Sequence, residues 1–190
     1  KPVLFSSLLV LLCIFIHLQV FALIFFIVCL FFIVLFRNPE RISKYRKDDM
    51  IVAPCDGIIR DISINDNEVT IKIEIGLFDV GILRTPMFVD SIDAIYKYGL
   101  FIKDNEILKE VLNTRHCING IKNNNIIYSI ELLPEVWNKV SIYDVNLAFA
   151  GDRIGFMKYG YLILNIHSLC DIKVQRGDNI FAGQSLLAKI

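Results

Sequence analysis

The chain opens on an unbroken apolar run. No charged residue lies between Lys1 and Arg37, and the polar interruptions are Ser6, Ser7, His17 and Gln19. A bilayer core of about 30 Å takes roughly 20 apolar helical residues, so the run is longer than one span requires. It predicts either a single long tilted span or a hairpin broken near His17 and Gln19, with arms at residues 3–16 and 20–36. Polar side chains in the middle of a span are costly unless satisfied, which favours the hairpin or a re-entrant anchor. A cleavable signal peptide fits poorly, because its apolar core is about 7 to 15 residues and ends at a small-residue site. Residues 37–47 then carry Arg37, Arg41, Lys44, Arg46 and Lys47 against one acid, Glu40. By the positive-inside tendency this flank is cytoplasmic, and each basic residue near anionic phospholipid adds about 1 kcal/mol of attraction. The plainer alternative is a solubilising surface.

From Met50 the pattern changes to short Ile- and Val-rich runs separated by Gly, Asn and Asp. Residues 57–64, 68–75 and 161–166 read as strands, with Asn65, Asp66 and Asn67 forming a hairpin turn between the first two. Residues 104–112 have helical spacing, with Ile107, Leu108, Val111 and Leu112 on one face and Asp104 as cap. Asn123 to Asn125 mark a loop. The expected organisation is a membrane anchor at 1–36, a basic linker at 37–49 and one β domain at 50–190, with no internal repeat.

Composition sharpens this only locally. Hydrophobic residues make up 55% of the chain and mean hydropathy is +0.54, an excess concentrated in the apolar run. Of 20 basic and 20 acidic residues only Lys1 precedes Arg37, so the remainder is near neutral and has no nucleic-acid signature. Cys13, Cys29, Cys55, Cys117 and Cys170 show no C-x-x-C spacing, and His17, His116 and His167 are scattered. Neither a disulfide framework nor a metal site is expected.

The tail from Asp171 has tight turns at Gly177-Asp178 and Gly183-Gln184. With VAPCDGII at 52–59 it resembles the barrel-sandwich fold of biotinyl and lipoyl carrier domains. The order around Met157-Lys158-Tyr159 is wrong for a carrier lysine, so Lys158 reads as an ordinary strand residue. Four segments in order are more specific. LFRNPER (35–41) behind the apolar run, VAPCDG (52–57), FDVGILRTP (78–86) leading into Tyr98-Gly99-Leu100-Phe101, and GDRIGFMKYGY (151–161) resemble the signatures of the short, membrane-associated phosphatidylserine decarboxylases.

The resemblance implies a mainly β, barrel-sandwich domain and a covalent pyruvoyl group made when a Ser attacks the preceding Gly carbonyl and the chain splits. That ketone would decarboxylate phosphatidylserine to phosphatidylethanolamine as an electron sink. The family's Asp matches Asp56, but its His position holds Gly81, and at the cleavage junction Gly160 is followed by Tyr161 in place of Ser. A phenol across a rigid ring can neither close the small cyclic intermediate nor be eliminated. The expectation is an unprocessed copy without a pyruvoyl cofactor or activity. His167, Ser168 and Cys170 do not follow a Gly as acyl donor, His116 reads as a loop residue, and Thr114 stands where the family has Glu. Anionic phospholipid, an active paralogue or a second copy are the expected partners, and the domain is expected on the cytoplasmic face. Two other readings stay open: a non-enzymatic membrane scaffold on a biotinyl-like fold, and an active decarboxylase with unrecognised chemistry.

Overall fold

The computed structural model of the chain describes residues 2–15, 19–45, 49–65, 68–100, 102, 108, 112–135 and 139–190. It divides into two compact units, Lys1–Pro39 and Glu40–Ile190. Most of the stretch read as a linker, from Glu40 onward, therefore belongs to the second unit.

In the first unit, α1 (Pro2–Phe15) and α2 (Gln19–Leu35) pack on one another. They fall on the two apolar arms. His17, at the expected break, lies outside the described residues. Ser6 and Ser7 donate their hydroxyls to the carbonyls of Val3 and Leu4, at 3.0 and 2.9 Å, so each polar group is satisfied inside its own helix. At 1.5 Å per residue the helices are about 21 and 26 Å long. Among the described residues no helix is long and apolar enough to cross a membrane.

The second unit is antiparallel β. Its main sheet has the order β12-β2-β3-β10-β7-β6-β5, made of β2 (Gly57–Asn65), β3 (Glu68–Ile75), β5 (Ser91–Lys97), β6 (Arg115–Lys122), β7 (Asn125–Pro134), β10 (Gly160–Ile166) and β12 (Asn179–Ile180). Two three-stranded sheets complete it. One is β1 (Met50–Val52), β13 (Leu186–Lys189) and β11 (Asp171–Ile172); the other is β4 (Ile82–Arg84), β9 (Arg153–Phe156) and β8 (Ser141–Ile142). The fold is thus mainly β, and the strands expected at 57–64, 68–75 and 161–166 are β2, β3 and β10.

Period-two alternation sets their faces. Val69, Ile71, Ile73 and Ile75 of β3 and Leu162, Leu164 and Ile166 of β10 are fully buried, while Thr70, Lys72 and Glu74 alternate outward. Each such aliphatic side chain contributes about 1.5–3 kcal/mol by leaving water. The β6–β7 hairpin closes through Asn123 and Asn124, at φ 51° and 62°, the backbone that a two-residue hairpin loop requires and that Asn tolerates. β2 and β3 pair as far as Asn65 and Glu68; the turn residues between them, and most of the helix expected at 104–112, lie outside the described residues.

Candidate active site

Asp56 sits in the loop between β1 and β2 and is 4% exposed. Its carboxylate accepts both guanidinium N–H groups of Arg41, one at 2.8 Å, and the amide N–H of Ala182 at 2.8 Å. Arg41 lies over the ring of Phe181, 5.8 Å from its centroid. This corrects its assignment to a membrane-facing basic flank, because the side chain is only 12% exposed and forms a fork-to-fork pair with a buried acid. Of the other flank residues, Arg37 and Lys44 are exposed, and Arg46 and Lys47 lie outside the described residues.

The four signature segments meet here. Arg84, at the end of β4, is buried and donates to the carbonyls of Gly151 at 2.6 Å and Arg41 at 3.4 Å. Its own amide donates to Pro54 at 2.8 Å. Burial first, then Arg153 and Arg41, hold its pKa below the ordinary value. Glu40 accepts from Arg153 at 2.7 Å. Cys55 is fully buried, and burial, followed by the charges of Asp56 and Asp79, pushes its thiol pKa well up. That thiol is inert by the same reasoning.

Gly81 is closed in rather than open to a substrate. Its carbonyl accepts the amide of Met157 at 2.8 Å, and a Cβ placed on it would stand 2.6 Å from the carbonyl oxygen of Met157 and 2.8 Å from the ring of Phe156. Next in the chain, Lys158 is 2% exposed and its ammonium donates to the carbonyl of Asp79. Lys158 is therefore not an ordinary strand residue: it lies in the segment between β9 and β10, just before Tyr159 at φ 61°.

Gly160, at φ 147°, begins β10 and is opposite Ile75 on one side and Pro134 on the other. A Cβ here would meet the carbonyl oxygen of Leu133 at 2.3 Å, so only glycine fits. Tyr161 is opposite Glu74, which is opposite Ile58. The junction and the Asp56 loop thus share one end of the sheet, with β10 and β2 about 10 Å apart at two strand spacings. The Tyr161 ring, however, lies on the outward face, with the Lys72 ammonium 4.9 Å from its centroid. Asp56, Gly81 and Gly160 are gathered on neighbouring segments, whereas the Tyr161 side chain faces elsewhere.

The pyruvoyl group that the resemblance implies does not fit these residues. It would derive from position 161, where a phenol lies across the outer sheet face and the junction peptide is held between β3 and β7. Neither of the alternatives next to the tail of β10 stands at the junction. His167 and Ser168 follow the far end of β10, about 20 Å from Gly160 at 3.4 Å per residue, and His167 pairs with Glu68 at 3.4 Å. His116 sits on β6 with its ring edge-on to Tyr96, centroids 4.6 Å apart, and burial lowers its pKa. Thr114 binds the backbone of Gly99. No cluster of His, Cys, Asp or Glu among the described residues could hold a metal.

Arg41, Asp79, Arg84 and Lys158 were not assigned to the site from the sequence. All four lie inside the quoted signature segments, which was the available signal.

No protein-family model matches the chain, and no solved structure matches it. Curated proteins do. The phosphatidylserine decarboxylase proenzyme of Geotalea daltonii is 26% identical over 190 residues, covering 89% of this chain and 84% of its own length. That of Carboxydothermus hydrogenoformans is 26% identical over 180 residues, covering 87% and 82%, and that of Ehrlichia chaffeensis is 27% identical over 188 residues, covering 90% and 79%. With signature segments in order and joined by the Arg41–Asp56 and Arg84–Gly151 contacts, the alignment of these proenzymes along nearly the whole length supports membership of the phosphatidylserine decarboxylase family.

Proposed function

We propose that this chain is an unprocessed, catalytically silent member of its family, held at a membrane by its two apolar helices with the β domain on the cytoplasmic face. The observation that carries the silent reading is the state of the two positions that would do the self-cleavage. Tyr161 supplies no aliphatic hydroxyl after Gly160, and the backbone of Met157 occupies the space into which any side chain at Gly81 would have to grow. With no base at 81, the carboxylate of Asp56 has no imidazole to orient; it balances Arg41 instead. The membrane reading is supported by mean helix composition: neither helix carries a charge in its first or last turn, and large apolar side chains such as Leu4, Val20 and Leu23 are more than half exposed, which suits lipid better than water. As each helix is shorter than the hydrocarbon core, a hairpin dipping into one leaflet fits them better than two crossings. A barrel-sandwich description of the β domain belongs to the same reading.

The test is the intact mass of the purified protein under denaturing conditions. One species at the full-chain mass is expected. Two fragments, the second beginning with a blocked ketone at position 161, would overturn the reading.

A further inference from the structure

β5 ends the main sheet. β6 covers one of its edges, and among the described residues no strand pairs with the other. Free edges are normally blunted by proline, a bulge or shortness. β5 instead has seven residues in unbroken register with β6, no proline among them, and Asp93 to Lys97 are all exposed. Its backbone donors and acceptors on the free side can take one more strand.

The side chains select that strand. Alternation puts Asp93, Ile95 and Lys97 on one face and Ile92, Ala94 and Tyr96 on the other. On β6, Asp93 is opposite Asn119 and Lys97 is opposite Arg115, so neither meets an opposite charge there, and Arg115 itself pairs with Glu131. Lys97 also reaches the thiol of Cys117, a weak partner for one of its three donors. Every second residue of an antiparallel strand points its N–H and C=O toward a given neighbour. Two copies of β5 expose the same set, so they can pair only in a register that places some residue opposite itself. With Ile95 opposite itself, Asp93 of each copy is opposite Lys97 of the other, and the two-fold axis makes the pair twice. Ala94 is then opposite Tyr96, small against large. Centring on Asp93 or Lys97 sets like charges together, and centring on Ala94 or Tyr96 leaves both charges unmatched. We propose that the free edge of β5 is an interface between two copies of this chain, paired antiparallel about Ile95 and held in register by reciprocal Asp93–Lys97 ion pairs. The pairing joins two main sheets into one.

Sedimentation of the full chain in density-matched detergent should show a concentration-dependent dimer. Asp93→Lys and Lys97→Asp, both at exposed positions, should each weaken it at least tenfold with unchanged circular dichroism, since each sets like charges opposite one another. Mixed in equal amounts, the two variants should form a heterodimer at least as tight as the wild-type dimer, because every lysine then faces an aspartate. The double variant should recover the wild-type affinity. In a background without the native cysteines, Ile95→Cys should close a disulfide between copies under mild oxidation, whereas Tyr96→Cys, opposite Ala94, should not. A chain that stays monomeric leaves the edge to some other strand and overturns the proposal. So does a dimer indifferent to both charge reversals, as one held through α1 and α2 would be, or a mixture of the variants that pairs no better than either alone.

Discussion

Single residues carry most of the tension in this domain. Tyr128 is fully buried, its hydroxyl has no hydrogen-bond partner among the described residues, and burial pushes its pKa up. Its ring fits only because Gly120 lacks a side chain, since a Cβ there would come within 2.2 Å of it. Removing an unsatisfied buried hydroxyl while keeping the ring is expected to be neutral or stabilising by about 1 kcal/mol, so Tyr128→Phe should hold or raise Tm in a thermal scan, and a clear fall would show that the hydroxyl is satisfied. Arg41 and Asp56 behave oppositely. Arg41→Ala leaves a buried carboxylate without its countercharge and should cost about 3–5 kcal/mol in urea denaturation. Adding Asp56→Asn should recover part of that loss, because it removes the charge yet leaves an acceptor for the Ala182 amide. If the double variant is as weak as the single, the pair is not what stabilises the loop. At Gly81 even alanine meets the Met157 carbonyl, so Gly81→Ala should cost about 1–3 kcal/mol by overpacking. Tyr161→Ser combined with Gly81→His should then leave the chain uncut in the mass spectrum.

Among the elements, β6 gives the domain a pH response. The pKa of His116 lies below the ordinary 6.5 because of burial, so the folded strand binds a proton less readily than the unfolded chain. Its neutral form is fully retained above about pH 6.5, and stability falls as pH drops below that toward the lowered value. Urea midpoints at pH 7.5 and 5 should show a steeper loss in the wild type than in His116→Phe; equal losses would remove His116 from the response. The helical pair makes a different prediction. In a one-leaflet hairpin, cysteines placed at 2 and 37 in a background without the native five should both react with an impermeant maleimide from one side of a vesicle. Labelling from opposite sides would mean a crossing. The strands were legible because each is built on local alternation: Ile and Val at every second position of residues 68–75 fix both the element and its buried face. The two apolar arms were legible from a charge-free run interrupted at His17 and Gln19. What the sequence hid is non-local. Arg41 reads as one more basic residue until the fold sets it beside Asp56, and Gly81 reads as an empty position until the pairing of β4 with β9 puts Met157 against it. Lys158 reads as an ordinary strand residue once a carrier role is set aside, and neither the turn at Tyr159 nor the Asp79 carbonyl that its ammonium meets is visible in the local sequence.

On the scale of the whole molecule, the boundary between units decides how the β domain can be isolated. A chain beginning at residue 40 keeps Glu40 and Arg41 with their partners Arg153 and Asp56 and should leave the membrane fraction folded. One beginning at residue 50, the boundary suggested by the sequence, removes Arg41 and should unfold about 3–5 kcal/mol more easily in urea; equal midpoints would mean that the pair contributes nothing.

The place of Gly160 in the sheet has a practical corollary for anyone looking for scission. β10 is flanked along its whole length by β3 and β7, and both come from the part of the chain ahead of it. A break before residue 161 would therefore release nothing: the distal piece would remain clamped as an interior strand, migrate with its other half through any native column, and keep the domain's spectrum. In this architecture a severed backbone and an intact one are the same object until the sheet is melted.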